Sequence, residues 1–510
     1  MSAKNSHCMS RPFLLLAGAL LVGVLPLNAQ ELWREGRNIS GLAFYEDNHK
    51  EASLGGSFTS GGFRLPSEAS TLWQAGVQAS AESHYKDLLF VGAFSFDVQH
   101  GREMMGSMFT NPGYYPIDVL EFTPGPKTRQ TYGVGGGLAW INRSRWIPGF
   151  TLQFQGVNYS KRKDLRHTTY RQEINFAPCI LYKGDRWRIG ATLILDKNSE
   201  FIQAEQIGSA TAETYYAFLD KGKRYGIMEA WDGSGIHLAD PGLDRMAVSR
   251  TSLGFAAQVS LEERLYADMQ YSFSRGQVGE KGYTWFRFPG QGIQAKVLWN
   301  IPGKRGRHTL RADMDWEGVD NFESVIDRVT AGGVTTPVEY GSNRIYEKRN
   351  ISFGPSYAYE SSAGWGLKAS PMLAMERDRG TYMYPYLNYD YSLMLNLLLE
   401  GHVTLGPVTL TASLEFRSEL DEDHEVIHTN EEEEGVVSFP VRLQDWWDME
   451  EEHNDVTLLG GSLDVRYHFT LAKRHRFFVE AGCSAFHGFH VFLLPGSNRQ
   501  TTHLSIGYHF

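Results

Sequence analysis

The chain has 510 residues, of which 42% are hydrophobic, 13% aromatic and 21% charged, with 53 glycines and 19 prolines. This composition excludes a disordered chain, a collagen and a long coiled coil. The formal net charge of −10 leaves no basic excess for a nucleic-acid surface, so no nucleic-acid partner is expected. After the first thirty or so positions no apolar run reaches about 18 residues, which excludes helical membrane spans from the rest of the chain.

Residues 1–29 have the pattern of a secretory signal peptide. Lys4 and Arg11 precede an apolar stretch over residues 13–24, and the small residue Ala29 ends the segment. The apolar stretch is too short for a membrane-anchoring helix. We therefore expect export from the cytoplasm and removal of residues 1–29.

From about residue 52 to the C terminus, apolar and polar residues alternate with a period of two. In the last segment Leu504, Ile506, Tyr508 and Phe510 share one face, as a β-strand requires. Helical spacing is absent from these segments. The predicted strands are 52–63, 71–84, 87–99, 129–142, 149–160, 170–183, 187–198, 248–262, 264–276, 286–299, 307–320, 344–360, 364–378, 385–404, 407–420, 454–470, 475–489 and 499–510.

The connections between these strands alternate between short and long. A soluble sandwich has no reason to place every tight turn on one side, whereas an outer-membrane barrel has short periplasmic turns and long extracellular loops. We therefore predict an all-β fold, a transmembrane antiparallel up-and-down β-barrel of about eighteen strands, with sixteen as the alternative. The long connections include 100–128, 199–247, 321–343 and 421–453.

The two faces of the strands differ because the bilayer and the lumen are different solvents. In lipid every backbone N–H and C=O needs a partner within the protein, which a closed barrel supplies. Outward side chains must then be apolar, while inward ones can be charged. Both signs of charge occur inside, which favours ion-pair bracing over a single-ion selectivity filter. The predicted lumen-lining residues are Glu82, Asp97, Glu173, Arg188, Asp268, Lys296, Arg311, Asp313, Lys368, Glu376, Glu415, Arg417, Asp464, Arg466 and Glu480.

The last strand and the N terminus also carry a family resemblance. The closing strand, ending in the aromatic Phe510, resembles the assembly signal of Gram-negative outer-membrane barrels. With Gln30-Glu31-Leu32-Trp33 after the signal and a body rich in Gly and Tyr, the chain resembles an uncharacterised outer-membrane barrel family of Bacteroidota. The resemblance implies residence in the Gram-negative outer membrane and insertion by the barrel-assembly machinery. The family carries no agreed function, and its members look like companions of outer-membrane uptake receptors.

A barrel of this size has an interior that its own side chains do not fill. Either water or a folded-in segment must therefore occupy the lumen. Residues 199–247 are one candidate for such a plug. Residues 30–51 are the other, with a periplasmic arm as the alternative, and residues 52–510 form the barrel.

The acidic loop 421–453 is the most unusual connection, with thirteen Asp and Glu residues. Such a density of carboxylates suits divalent cations, but a solvated, flexible acidic loop is the alternative. The adjacent tryptophans of this loop either stack on a sugar or partner, or fill the interior of the loop. The candidate metal ligands are Asp421, Asp423, His424 and His428, and the candidate ligand or partner residues are Trp446 and Trp447.

A basic loop and a histidine–serine pair each have both a functional and a purely structural explanation. The basic loop of Lys161, Arg162, Lys163 and Arg166 suits lipopolysaccharide phosphates, and an ordinary exposed face is the alternative. His503 and Ser505, with Glu480 on the neighbouring strand, have the residue types of a hydrolase, although lumen polarity explains them equally well. Phosphate-binding and dinucleotide motifs are absent from suitable contexts, so no cofactor is expected.

The sequence thus favours a non-enzymatic outer-membrane barrel that forms a passage for a small solute or supports an uptake receptor. The alternative is a scaffold with a plugged lumen that docks a surface lipoprotein or receptor. An outer-membrane lipid hydrolase is the third hypothesis. The expected partners are outer-membrane lipid and lipopolysaccharide, the barrel-assembly machinery, and an outer-membrane receptor or surface lipoprotein.

Overall fold

The computed structural model describes residues 32–45, 50–141, 144–163, 165–205, 215–223, 225–231, 245–262, 264–280, 283–381, 387–427, 443–472 and 475–510. The predicted signal peptide, residues 1–29, lies outside the described residues, as does His428. Among the residues that the structure describes, no helix has the length and the hydropathy needed to cross a membrane.

The described residues form twenty strands, two short 3-10 helices and one α-helix. The 3-10 helices are Leu32–Glu35 and Ile39–Phe44, and the α-helix, α1, is Leu443–Asp455. The strands are β1 (Lys50–Gly61), β2 (Thr71–Tyr85), β3 (Leu88–Ser107), β4 (Asp118–Trp140), β5 (Trp146–Lys161), β6 (Arg166–Lys183), β7 (Trp187–Glu205), β8 (Tyr215–Gly222), β9 (Tyr225–Trp231), β10 (Arg245–Leu261), β11 (Leu265–Glu280), β12 (Tyr283–Pro302), β13 (Gly306–Ala331), β14 (Val334–Ser361), β15 (Trp365–Gly380), β16 (Asn388–Leu405), β17 (Val408–Val426), β18 (Leu458–Leu471), β19 (His475–Gly488) and β20 (Asn498–His509).

Eighteen of these strands form one closed antiparallel barrel, which confirms the predicted fold class. Neighbours in the chain are neighbours in the wall, and β7 pairs directly with β10 because the hairpin β8–β9 leaves the wall between them. Leu54 of β1 stands opposite both Val77 of β2 and Ile506 of β20, so the first and last strands close the cylinder. Each predicted strand corresponds to one strand of the wall.

The outer surface of the wall is apolar. Leu54, Trp73 and Leu504 point outward and are 58%, 58% and 60% exposed. Polar residues alternate with them and lie on the inner face. Such an exposed apolar belt is what a bilayer requires of a barrel. Exposed tryptophans form an aromatic ring where the short turns lie, a position typical of the interface in membrane barrels. They are Trp140, Trp146, Trp187, Trp299 and Trp365.

The two ends of the barrel differ in the length of their connections. We call the end with the short turns and both Lys50 and His509 the turn end, and the opposite end the loop end. At the loop end the predicted loop 321–343 is instead strand, because β13 and β14 continue to a tight turn at residues 332–333. Residues 454–455, predicted as strand, belong to α1. Beyond the apolar belt both strand faces meet water, so the period of two disappears from the sequence although the backbone pairing continues.

Candidate functional site

The segment Leu32–Tyr45, which we call the turn-end segment, lies inside the barrel near the turn end. Trp33 is only 1% exposed, and its indole N–H donates to Ser260 Oγ on β10 at 3.0 Å. Asn38 caps the second 3-10 helix by accepting from the Ser40 N–H at 3.1 Å. Its amide also donates to the Ile180 carbonyl on β6 at 3.2 Å. The segment is therefore seated against the inner face of the wall.

Glycines in the wall make room for this segment. A Cβ on Gly137 of β4 would lie 2.4 Å from Ile39 Cδ1, and a Cβ on Gly190 of β7 would lie 2.5 Å from Asn38 Nδ2. At contacts under about 3 Å an atom must shift, so a larger residue at these positions would push against side chains of the segment. The seat is thus encoded in the wall strands as well as in the segment itself.

Charged residues on the inner face bind the same segment. Arg34 pairs with Glu82 at 2.5 Å, and Glu35 Oε2 lies 3.3 Å from Lys296 Nζ and 3.0 Å from Arg311 Nη1. Three of the predicted lumen-lining residues therefore hold the N-terminal segment in place.

Two more of the predicted residues contact this region through aromatic rings. The Arg188 guanidinium lies 3.9 Å from the centre of the Phe44 ring. Asp268 accepts from the Tyr266 hydroxyl at 3.1 Å, and the Tyr266 ring packs edge-on against Trp33 with 5.3 Å between ring centres. Both contacts lie on the side of the lumen that the segment occupies.

The contacts described for the turn-end segment lie on β2–β7 and β10–β13. The inner face of β14–β20 and β1, which we call the open arc, carries histidine–carboxylate pairs. His402 Nε2 lies 3.2 Å from Glu360, His503 Nε2 3.3 Å from Asp464, and His509 Nδ1 3.5 Å from Glu51. These side chains keep about a fifth to a third of their surface exposed. A polar, hydrated surface therefore runs beside the seated segment.

The hairpin β8–β9 crosses the mouth of the barrel at the loop end. Its first strand pairs with the start of β4, where Asp118 stands opposite Asp220. Its tip reaches the far wall: Lys221 Nζ donates to Glu323 of β13 at 2.7 Å, and Lys223 pairs with Asp390 of β16. The hairpin thus spans the mouth from β4 to β13 and β16.

The connection between β3 and β4 folds into the same mouth. Its Tyr115 hydroxyl donates to Asn198 of β7 at 2.5 Å, and the Thr110 N–H donates to Glu200 at 2.6 Å. Phe109 and Tyr115 join an apolar cluster that includes residues of β7 and β10–β14, among them Phe288. We call this connection, the hairpin β8–β9 and α1 together the loop-end cap.

Helix α1 packs onto the hairpin and the start of β4. Trp446 and Trp447 are 1% and 4% exposed, and their rings contact Phe122 and Phe218. In this structure both indoles are buried between α1, β4 and β8. Arg417, a predicted lumen residue, donates to the His453 carbonyl at 2.5 Å and so fixes the C-terminal end of α1 to β17.

A buried ion cluster lies at the base of the cap. Glu121 Oε1 lies 3.0 Å from Lys127 Nζ, Glu121 Oε2 accepts from Lys161 Nζ at 2.5 Å, and the side chains of all three are fully buried. Lys161 was predicted to belong to an exposed basic loop for phosphate groups, and this part of the prediction is wrong. The cation is buried because its carboxylate partner is buried with it.

Of the predicted metal ligands of the acidic loop, the three that the structure describes, Asp421, Asp423 and His424, are not gathered at one site. Asp421 and Asp423 are exposed on β17, and His424 on the opposite face of that strand contacts Asp390 at 2.8 Å. His424 lies within β17. The carboxylates that do converge are Glu419, Glu422 and Asp455, with oxygens within 4.8 Å of one another.

The remaining predicted lumen residues mostly form ion pairs on the inner face. Arg171 pairs with Glu173 at 2.6 Å. Further pairs are Arg311 with Asp313, Lys348 with Glu376, and Arg466 with Glu480. Within the part of the chain that the structure describes, Asp97, Lys368 and Glu415 have no ion-pair partner within 4.0 Å.

The predicted hydrolase residues do not form a nucleophile–base pair. In the described residues no hydrogen bond joins Ser505 to His503, whose imidazole instead faces Asp464 and Glu480. A serine nucleophile needs its base within hydrogen-bond reach. The geometry therefore does not support a serine hydrolase at this position.

Sequence reasoning missed the residues that seat the turn-end segment, namely Trp33, Arg34, Glu35 and Asn38. Their contacts join positions far apart in the chain, such as Trp33 with Ser260. A usable signal was present in the wall, where Gly133, Gly135 and Gly137 leave one inner stripe of β4 without side chains.

A family model described as a family of unknown function (DUF6850) matches residues 40–510. The chain belongs to this family. The predicted membership in a family without agreed function is thereby confirmed, while a Bacteroidota source stays a prediction.

Solved structures similar to this DUF6850 protein are bacterial barrels at low identity. BauA, the ferric preacinetobactin receptor of Acinetobacter baumannii, is 7% identical with a TM-score of 0.42, covering 91% of this chain and 80% of its own. The outer-membrane transporter YddB of Escherichia coli is 8% identical with a TM-score of 0.42, covering 90% and 81%. A FadL homologue of Pseudomonas aeruginosa is 10% identical with a TM-score of 0.34, covering 96% and 95%. A search of curated proteins found no significant match.

Proposed function

We propose that this protein is an outer-membrane barrel that admits a small polar solute along the open arc, with the turn-end segment and the loop-end cap as its two gates. The observation that carries the proposal is the half-occupied lumen. The segment is seated on β2–β7 and β10–β13, while the histidine–carboxylate pairs of β14–β20 and β1 stay partly exposed. The apolar outer belt supports residence in a bilayer.

The polarity of the open arc supports a hydrated path. Buried charges are costly unless they are paired and hydrogen-bonded, so a dry arc would have favoured apolar residues. Lys368 and Glu415 have no ion-pair partner within 4.0 Å among the described residues and therefore need water or solute nearby. A lumen that served only to brace the wall has no need of such side chains.

The two gates close the path at rest. The cap crosses the mouth from β4 to β16, and the turn-end segment narrows the opposite end. An uptake barrel of this design admits solute only when one or both gates move. Outer-membrane lipid and lipopolysaccharide would surround it, the barrel-assembly machinery would insert it, and an uptake receptor is its expected partner.

Conductance of the purified protein in planar bilayers tests this proposal. We expect little current from the wild type and steady ohmic steps from a variant that lacks residues 32–45 and carries Lys223→Ala to loosen the hairpin tip. The same double variant with cysteines introduced to lock the hairpin tip to β16 is the matched control, and it should remain silent until the disulfide is reduced. A folded double variant that passes no current would contradict the proposal.

A second candidate, the docking scaffold, is favoured by one exposed feature. In the connection between β19 and β20, Phe492 is 82% exposed and Leu493 53% exposed. Glu452 of α1 accepts the backbone N–H groups of Phe492 and Leu493 at 2.5 and 2.8 Å, so this apolar tip is held in a fixed position. Large exposed apolar side chains commonly mark an interaction surface.

Extraction in a gentle detergent would separate the scaffold from the passage. The scaffold predicts a stoichiometric surface lipoprotein or receptor that is lost from Phe492→Ser, Leu493→Ser protein. Recovery of a solitary barrel in both cases would argue against the scaffold, whatever the conductance shows.

A further inference from the structure

Three strands of the open arc place an acid, a glycine and a histidine in one row. Asp464 of β18 stands opposite Gly482 of β19, and Gly482 stands opposite His503 of β20. The adjacent row is Arg466, Glu480 and Ser505. The strand register therefore brings together the side chains of Asp464 and His503, which lie far apart in the sequence.

Gly482 allows the side chains of its two neighbours to meet. Asp464 Oδ1 lies 3.3 Å from His503 Nε2 across the glycine. A Cβ at position 482 would lie 1.9 Å from Asp464 Oδ1 and 2.5 Å from His503 Cε1, so these two side chains would have to move apart. The contact between the carboxylate and the imidazole thus depends on the absence of a side chain between them.

Glu480 completes the group from the neighbouring row. Its Oε1 lies 3.7 Å from His503 Nε2, while its Oε2 accepts from Arg466 Nε at 2.5 Å. Arg466 therefore holds the carboxylate in one orientation and leaves Oε1 directed at the imidazole. Orientation of a ligating carboxylate by an outer hydrogen bond is a common feature of metal sites.

The geometry of the group is that of metal ligands. Neither Asp464 Oδ1 nor His503 Nε2 makes a hydrogen bond, although both atoms are buried. The three ligand atoms lie within 4.8 Å of one another. Tetrahedral ligands held roughly 2.0–2.2 Å from a zinc ion stand about 3.3–3.6 Å apart. This matches the 3.3 Å between Asp464 Oδ1 and His503 Nε2.

We propose that Asp464, Glu480 and His503 bind a divalent first-row transition metal of the Zn²⁺ class. An imidazole nitrogen with two carboxylate oxygens suits such a metal better than Ca²⁺ or Mg²⁺, which take oxygen ligands. Arg466 offsets one of the two carboxylate charges, and one negative charge remains for the cation. The remaining coordination positions face the lumen. The inference needs only the barrel and its register, and it does not depend on transport.

Titration of the detergent-purified, folded protein with Zn²⁺ by calorimetry tests the site. We expect one Zn²⁺ per chain, and binding at least about tenfold weaker in His503→Gln and Asp464→Asn, since even loss of an outer hydrogen bond typically costs tenfold or more. Gly482→Ala should weaken binding without altering a ligand, because its methyl group displaces Asp464 Oδ1. Arg466→Gln should weaken it less than the loss of a ligand.

His509→Gln is the matched control, because His509 lies on the same inner face of β20 and faces the single carboxylate of Glu51. Its affinity for Zn²⁺ should equal that of the wild type. Visible absorption of added Co²⁺ would report ligation directly and should disappear in His503→Gln. Heat-modifiable mobility on gels confirms that each variant remains folded. Folded wild type that takes up no stoichiometric Zn²⁺, or unchanged affinity in both His503→Gln and Gly482→Ala, would overturn the proposal.

Discussion

The turn-end segment and the loop-end cap both occupy the lumen, but they are held in different ways. The segment is seated by Trp33 and Asn38 against glycines of the wall, with ion pairs at its edge. The cap is continuous with the wall strands. At its base lies the fully buried cluster of Glu121 and Lys127 on β4 and Lys161 on β5. The segment is therefore a separable insert, whereas the cap is an extension of the barrel. Removal of the segment should open the turn end without loss of the fold.

The largest expected effect comes from the buried cluster of the cap. Glu121→Gln would leave Lys127 and Lys161 buried without their carboxylate, and breaking a buried pair typically costs about 3–5 kcal/mol. Hydrogen exchange of the β3–β4 connection and the hairpin should rise accordingly. Glu103→Gln is the control, because that carboxylate is 66% exposed and its loss should leave exchange unchanged. Equal exchange in the two variants would show that the cap does not depend on the cluster.

Trp33→Ala should release the turn-end segment. The indole is 1% exposed and packs against Tyr266, and truncation of a buried aromatic typically costs about 3–5 kcal/mol. We expect residues 32–45 to become susceptible to protease while the wall stays folded. Trp73→Ala, which removes an exposed outer tryptophan, should not affect protection of the segment. Protection that survives Trp33→Ala would show that the segment is held mainly by its ion pairs.

Gly137→Ala should displace the segment without changing any residue in it. The new Cβ would lie 2.4 Å from Ile39 Cδ1, and overpacking of this kind typically costs about 1–3 kcal/mol. Gly135→Ala is the matched control on the same inner face of β4, because its Cβ would meet Gln153 at an ordinary 3.4 Å. Protease protection of residues 32–45 should fall in the first variant alone. A similar loss in both variants would mean that β4 itself is disturbed.

Acid should weaken the cap through His453 of α1. Burial lowers the pKa of this imidazole to about 4, so the folded cap favours the neutral ring. The contribution of the neutral His453 ring to the stability of the folded cap is fully present above the unfolded pKa near 6.5. It is lost as pH falls from there through about 4. At pH 5.5 the loss is about 1 kcal/mol, measurable as faster hydrogen exchange in α1. His453→Gln should abolish the pH dependence between 6.5 and 5, and an unchanged dependence would assign it to other groups.

Much of the wall could be predicted from the sequence because its signals are local. The alternation that ends at Leu504, Ile506 and Tyr508 places those residues on one face whatever the rest of the chain does. The ends of β13 and β14 could not be predicted in this way, because strands beyond the apolar belt lose the difference between their faces. The burial of Trp446 and Lys161 could not be predicted from the sequence either, because it depends on contacts with Phe122 and Glu121 in another part of the chain.

The sequence by itself determined that this protein is a barrel, because the period of two and the short turns follow from the bilayer as solvent and from backbone hydrogen bonding. Only the tertiary structure decided what the barrel contains. The seat of Trp33 beside Ser260, and the meeting of Asp464 with His503 across Gly482, depend on strand register and on closure of the cylinder. These contacts join residues far apart in the chain, and neither hydrophobicity nor spacing encodes which inner-face residues will be neighbours.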